Sequence, residues 1–339
     1  CADDAVSVEE CYDNFNDCFK SYDLHMPIKV HMGVYDLCET DCDTYTMSYK
    51  ALLALQSIKG NLTRKIAYYE KGMMAVEKEQ QELLSDIQTA IDDEQLEVWF
   101  QPQFDFSKGS ITGAEALIRW NHPKMGMISP AVFIPLLEKS DYISRVDKYV
   151  IEKTCGYIKK WCTEFPDRGI IPVSVNLSRV DIYQNDLCAK LSDILKKYGV
   201  PTNALHLEIT ESAYMDNTAV FLNTISALRN NGFIVEMDDF GSGDSSLNLL
   251  KDINIDKLKL DMKFLSETSE TEKSKIIISS IINMARELRV PVIAEGVETK
   301  EQAEMLMGFG CNQMQGYYFS RPVPEAEYEN MLCRQNLLA

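Results

Sequence analysis

The sequence has no Cys-x-x-Cys pair among its 10 cysteines, no His-Cys couple at ligand spacing and no leading apolar segment of the secretory type. These absences exclude a zinc ribbon and a disulfide scaffold, and they point to reduced, structural thiols in a cytoplasmic setting. Only 4 histidines occur, His25, His31, His122 and His206, too scattered to form a zinc site. No run of about 18 apolar residues is present, so no membrane-spanning helix is expected. Positive charge is scarce as well: 34 Lys and Arg stand against 52 Asp and Glu, a net charge of -18. A field of that sign repels polymeric nucleic acid, whose binding depends on cations that neutralise phosphate. Any smaller phosphate ligand must be held by cations placed locally. The first residue is Cys, so the chain is expected to be a piece of a longer protein.

What is present fits an ordinary globular chain, 45% hydrophobic and 25% charged over 339 residues, enough for one barrel and an appendage. Residues 1–60 mix signals. Val8 to Tyr22 is amphipathic, Ile28 to Tyr35 alternates as a strand does, and Tyr45 to Ile58 is helical again, which predicts a small N-terminal α+β piece. From about 61 to 93 the composition turns to Lys, Glu, Gln, Leu and Ala, with no Pro and no Gly after Gly72, and predicts one long connecting helix. From 94 to 339 short apolar strands alternate with helical periodicity, the pattern of a parallel α/β domain. Strands are predicted near 98–103, 114–120, 172–177, 204–209, 233–238, 256–260, 291–295 and 311–315. Eight strands, most followed by a helix, predict a TIM-like (β/α)8 barrel. The first two are joined only by 105–110, too short for a crossover helix, and should pair as an antiparallel hairpin.

Alternation along these strands sorts the polar residues. Glu115, Asn176, Glu208, Asp238 and Glu295 fall at or near the carboxyl ends, where barrel enzymes build their sites, and Asp239 follows directly on Asp238. One such carboxylate alone would be read as a turn cap. Five in one barrel mouth repel each other unless cations are bound, and an all-oxygen set suits hard ions such as Mg2+ or Mn2+. Neighbours in a regular pleat cannot both point inward, so the strand must end at Asp239, with Gly241 and Gly243 easing the turn. Each aspartate can then serve a different ion, and a metal pair is the usual device for displacement at phosphorus. Lys259, inward on its strand, and Arg119 supply cations matched to phosphate. Lys257 shares the parity of Lys259 but could equally point to the bottom of the barrel, and it is not assigned to the site. The cluster predicts a phosphodiester hydrolase.

The same residues lie in an ordered series: Gln101-Pro102, Glu115-Ala-Leu117 with Arg119, Val175-Asn-Leu-Ser178, Glu208-Ile-Thr-Glu211, Asp238-Asp-Phe-Gly241, Leu258-Lys-Leu-Asp261, Glu295-Gly-Val-Glu298 and Gln315-Gly-Tyr317. In order and approximate spacing, over about 95–335, the series resembles the EAL-domain cyclic di-GMP phosphodiesterases. The resemblance implies a TIM-like barrel, usually dimeric, that uses two Mg2+ or Mn2+ ions to hydrolyse cyclic di-GMP to linear pGpG. By position, Glu115, Asn176, Glu208 and Asp238 would ligate one ion and Asp239 the second, with Asp238 as a bridge. Glu295 would be the general base and also touch a metal, Lys259 would contact the attacking water, and Glu298 would support the site. Gln101, Arg119 and Gln315 match substrate-contacting positions. Glu211 matches the residue that holds the loop after the aspartate pair, a loop that couples dimerisation to metal binding in the family.

Asp244 departs from the pattern, standing where many relatives have an aromatic, and it reads as a cap for the helix that follows. The N-terminal piece resembles the end of a GGDEF domain, through the strand from Ile28 to Tyr35 and the helix with Met47-Ser-Tyr-Lys-Ala51. No Gly-Gly-Asp-Glu-Phe signature occurs, so no cyclase activity is predicted. Two other functions compete with hydrolysis. A barrel that binds cyclic di-GMP without cleaving it typically lacks a metal ligand or the base, whereas all are kept here. A barrel lyase with one Mg2+ would not explain the adjacent aspartates.

Overall fold

The computed structural model describes residues 7–20, 29–38, 43–61, 63–140, 142–240, 250–251, 253–262 and 272–334. The chain divides into two compact units, Cys1–Ser85 and Asp86–Ala339. In the smaller unit the helix Val8–Lys20 precedes strand β1, Met32–Val34, and the helix Thr44–Gln56 returns the chain so that β2, Ile66–Tyr68, pairs with β1 in parallel. Asp43 starts the returning helix by accepting from Thr46 N. Ala54 of that helix and Ile58 just beyond its end pack against Ala67. The long helix expected from about residue 61 is shorter. Ile66 and Tyr68, β-branched and aromatic, take a strand instead, and the helix proper is Met73–Asp92.

In the larger unit the strands are β3 (Leu96–Asp105), β4 (Ser110–His122), β5 (Gly126–Ile128), β6 (Val173–Asn176), β7 (Leu205–Thr210), β8 (Ile234–Phe240), β9 (Lys257–Asp261), β10 (Val292–Glu295), β11 (Gln313–Met314) and β12 (Val323–Pro324). Around the sheet the order is β3, β11, β10, β9, β8, β7, β6, β4, and the pairing of β4 with β3 closes an eight-stranded barrel. The strand β3 runs antiparallel to both neighbours, while the others pair in parallel. All eight predicted strands are present, and the first two form the predicted hairpin. Asp105 holds its turn by accepting from Ser107 Oγ at 2.6 Å. The short strands β5 and β12, unpredicted, extend the sheet from β4 and β3.

Helices pack on the outside with their apolar faces against the strands. Leu260, Ala294 and Met314 of β9 to β11 meet Ile278, Ile282, Ala303 and Leu306 of the helices Glu272–Glu287 and Lys300–Gly308. Near β3, Phe100 sits 4.9 Å from Trp161 and 5.4 Å from Tyr328, centroid to centroid, and the Trp161 indole donates to Glu329. Burial pushes the Cys155 and Cys311 thiols up to about 12, which keeps them protonated. Among the described residues no helix is long and apolar enough to cross a membrane.

Candidate active site

Lys259 lies inward on β9, 1% exposed, and its ammonium is surrounded by carboxylates from four other strands. Nζ is 2.7 Å from Glu208 Oε1, 2.9 Å from Glu295 Oε1, 3.2 Å from Asp238 Oδ1 and 3.4 Å from Glu115 Oε2. Asn176 joins them by donating Nδ2 to Glu115 Oε1 at 3.2 Å. Five of the predicted ligands and the predicted lysine therefore share one point. Electrostatics follow from that crowding. Burial and then the Glu115 carboxylate push Glu208 well above the usual carboxylate range. Burial, against the opposing Lys259 charge, does the same to Glu295, with Asp238 adding to it. Burial pulls Lys259 down, but the four carboxylates outweigh it and hold its ammonium well above the ordinary 10.5.

Strand β8 ends as its two aspartates require. Asp239 has φ 53, a left-handed conformation that Asp tolerates better than most residues, and the pairing of β8 with β9 slips between Met237 and Phe240. Asp239 N donates to Asp238 Oδ1 at 2.9 Å. Both carboxylates line a cleft of about 290 Å³ together with Glu115, Glu295, Glu298 and Gln315. On its wall Gln315 Nε2 donates to Glu115 Oε2 at 2.5 Å and to Gln101 Oε1 at 3.1 Å, while Gln101 Nε2 reaches Ser320 O at 3.2 Å. Gln315 is placed by Gly316, where an added Cβ would lie 2.1 Å from Val297 O.

Three predicted residues stand elsewhere or partly so. Arg119 lies half-buried against the Trp99 ring, 5.7 Å from its centroid, and lines an adjoining cavity of about 320 Å³ with Asn176 and Asp147. Leu117 borders both spaces. In that cavity's wall Asp147 accepts from Ser178 N at 3.1 Å and faces Asp181, and burial and then Asp181 push Asp147 well above its ordinary 3.8. Glu211 is buried at the first position of the helix Glu211–Asp216, directly after β7. The loop it was expected to hold, with Gly241, Gly243 and Asp244, lies outside the described residues. Glu298 lines the cleft but is not among the partners of Lys259.

The cleft also holds Asp261 and Tyr317, which sequence reasoning did not assign. Asp261 has the parity of Lys259 on β9, so the alternation that turned the lysine inward was the available signal. Tyr317 is 56% exposed with the Arg321 guanidinium 4.7 Å over its ring, and it closes the Gln315-Gly-Tyr317 motif. Lys257, left unassigned, points inward below the cleft, where it meets Glu236 at 3.0 Å. Burial opposes ionisation of Glu236, but the His206 hydrogen bond and then the Lys257 charge hold its carboxyl down at about 2.

The residue types, though not their spacing here, fit divalent cations by two observations. The donors are all oxygens, the set that hard ions select. Glu208 is 1% exposed, and neither of its oxygens accepts a well-directed hydrogen bond, although Lys259 lies close by. Among the described residues no group of three or more His, Cys, Asp or Glu is spaced to hold an ion. The Lys259 ammonium stands at the point the carboxylates surround.

Residues 84–322 match the family described as EAL domain. The signalling protein YkoW of Bacillus subtilis is 33% identical over 97% of this chain and 41% of its own length. The bifunctional diguanylate cyclase/cyclic di-GMP phosphodiesterase MucR of Pseudomonas aeruginosa is 35% identical over 76% of this chain and 37% of its own. The solved MucR phosphodiesterase, in complex with c-di-GMP, superposes with a TM-score of 0.68 at 33% identity, over 73% of this chain and 99% of that one. The chain spans about two-fifths of the length of these curated relatives.

Proposed function

Because the chain belongs to the EAL-domain family, we propose that it hydrolyses one phosphodiester bond of cyclic di-GMP to give linear pGpG. The observation that carries this is the convergence of Glu115, Glu208, Asp238 and Glu295 on one buried point, with Asp239 turned toward the same cleft by its left-handed backbone. Glu115, Asn176, Glu208 and Asp238 would hold one divalent cation, Mg2+ or Mn2+, and Asp239 a second, with Asp238 shared and Glu295 beside them. When bound, such ions offset phosphate charge and make water easier to deprotonate. The chain's own residues do the rest. Glu295, whose proton affinity is raised, accepts a proton from the attacking water as its oxygen bonds to phosphorus. The ribose oxygen departs and takes up a proton, which leaves pGpG. Lys259 presents its ammonium to the same water and to phosphate oxygens. Gln101 and Gln315 offer amides to the substrate from the wall of the cleft, and Arg119 a guanidinium from the adjoining cavity. Glu298 would support the site from the cleft wall. Glu211 would hold the loop that follows Asp239 in a homodimer built through the barrel. The small unit stands as the end of a GGDEF-like module, and the protein works in the cytoplasm.

A second reading has one observation in its favour. Lys259 by itself neutralises much of the carboxylate cluster, as a barrel that only binds cyclic di-GMP and signals through a partner would need. Incubation of the protein with cyclic di-GMP and Mg2+ or Mn2+, with chromatography of the products, separates the two. Hydrolysis yields pGpG; calorimetric binding with no product in either ion establishes the receptor.

A further inference from the structure

Below the cleft lies a second buried polar group that the proposed hydrolysis does not use. Ser174, His206, Glu236 and Lys257 stand two residues before Asn176, Glu208, Asp238 and Lys259 on four consecutive strands of the barrel, β6 to β9. Strand parity therefore puts each on the same side as the site residue above it. Glu236, 0% exposed, is the hub of the group. Its Oε2 accepts from Ser174 Oγ at 2.8 Å, and its Oε1 meets His206 Nδ1 at 2.7 Å and Lys257 Nζ at 3.0 Å. An ionised carboxylate only accepts, so His206 Nδ1 carries the proton. The Lys257 ammonium, 3.2 Å from that nitrogen, then finds no lone pair there and is left to Glu236.

Position gives the group its consequence, because β8 and β9 part just above it. Glu236 and Lys257 are register partners, Met237 and Leu258 follow, and then the ladder slips until Phe240 meets Leu260. Asp238 Oδ1 and Lys259 Nζ are 3.2 Å apart across that gap, with no backbone pairing between their residues. The Glu236–Lys257 pair joins the two strands one register pair below the break. His206 and Ser174 extend the same tie to β7 and β6, which carry Glu208 and Asn176. We propose that Ser174, His206, Glu236 and Lys257 are positioning residues, a side-chain clamp across four strands that keeps Asp238 and Lys259, parted by the β8–β9 break in the backbone ladder, converged with Asn176 and Glu208. The clamp rests on the reading of the barrel as a divalent-cation hydrolase.

Lys257→Met tests it, because two effects of this change have opposite signs. Removing a cation near a carboxylate cluster would by itself tighten binding of a divalent ion. Loosening the clamp weakens it, and loss of outer support to a metal site typically costs about 10–100-fold in affinity or activity. Titration of the substrate-free protein with Mn2+, followed by electron paramagnetic resonance, is expected to show about tenfold weaker binding in K257M. The value of kcat should fall by a similar factor with KM little changed, and Lys257→Arg, which restores a cationic donor, should recover both. Unchanged or tighter Mn2+ binding in K257M overturns the proposal. Should K257M fail to fold by circular dichroism, Ser174→Ala removes a single hydroxyl and is read in the same way. Weaker Mn2+ binding at an unchanged melting temperature supports the clamp, and unchanged binding overturns it. A wild-type protein that neither binds Mn2+ nor makes pGpG removes the functional reading and the clamp with it. A competent wild type with an equally competent K257M removes the clamp alone.

Discussion

Of the three carboxyl groups among the described residues of the barrel that hold protons unusually well, Glu208, Glu295 and Asp147, two make separate predictions. Glu295 touches Lys259 at 2.9 Å and is pushed up by burial, which raises its affinity for a proton as a general base requires. Glu295→Gln keeps the shape and removes the basicity. Turnover of cyclic di-GMP should fall by about 10²-fold or more while calorimetric binding persists, since general-base catalysis contributes on that scale; wild-type turnover in the variant removes Glu295 as the base. Asp147 is the other. Facing Asp181 in a buried wall, it keeps a proton in the folded state that the unfolded chain releases above the ordinary 3.8. Folded stability is therefore lost as the pH rises from there. Asp181→Asn removes the facing charge and retains an oxygen for Gln184 Nε2, which donates to Asp181 Oδ1 at 2.7 Å. Thermal unfolding across pH should show the variant gaining on the wild type as the pH rises, whereas a gain independent of pH would contradict the proton held by Asp147. Neither Asp147 nor Asp181 was legible in the sequence, because their pairing joins separate helices, Ile143–Glu164 and Arg179–Ile182. Strand residues were easier to read: period-two alternation alone turned Glu115, Glu208, Asp238 and Lys259 inward, and it would have added Asp261 had it been carried one pleat further.

Strand β8 shows what alternation alone cannot supply. Two adjacent aspartates demanded that the pleat stop, and the structure stops it through a left-handed Asp239 and a slipped ladder. Asn adopts that backbone nearly as well as Asp, whereas a β-branched side chain does not. Asp239→Asn should therefore hold its melting temperature but bind Mn2+ more weakly, and Asp239→Val should also lose about 1–2 kcal/mol of stability to backbone strain. Equal stabilities for the two variants in chemical denaturation would argue against strain at this position. Elsewhere the element pattern was legible because the strands of a parallel barrel are apolar runs with short breaks. The exceptions have physical causes. Residues 66–68, though apolar, are too short a run to be told from the helical stretch after them, and they form a strand by pairing with β1. The two-residue β12 forms because the antiparallel β3 has an edge beyond β11 to offer it.

At the scale of the whole molecule, a net charge of -18 is carried by a chain that reads as a ligand site for an anion. The conflict is resolved locally, by burying one lysine among four carboxylates on a closed barrel and by a donor set that fits divalent cations. Fold class and most of the site could be read from the chain because the barrel spreads its functional residues over strand ends at regular intervals. The lower polar layer could not, since His206, Glu236 and Lys257 have meaning only once β7, β8 and β9 are neighbours. The central claim is that these strand ends assemble a divalent-cation-dependent hydrolase. Its most direct test is to strip the protein with a chelator, restore Mg2+ or Mn2+ in steps, and follow conversion of cyclic di-GMP to pGpG. No product in the stripped protein and product rising to saturation with added ion is the predicted result; turnover that ignores the ion, or binding of cyclic di-GMP with no turnover in either ion, would contradict it.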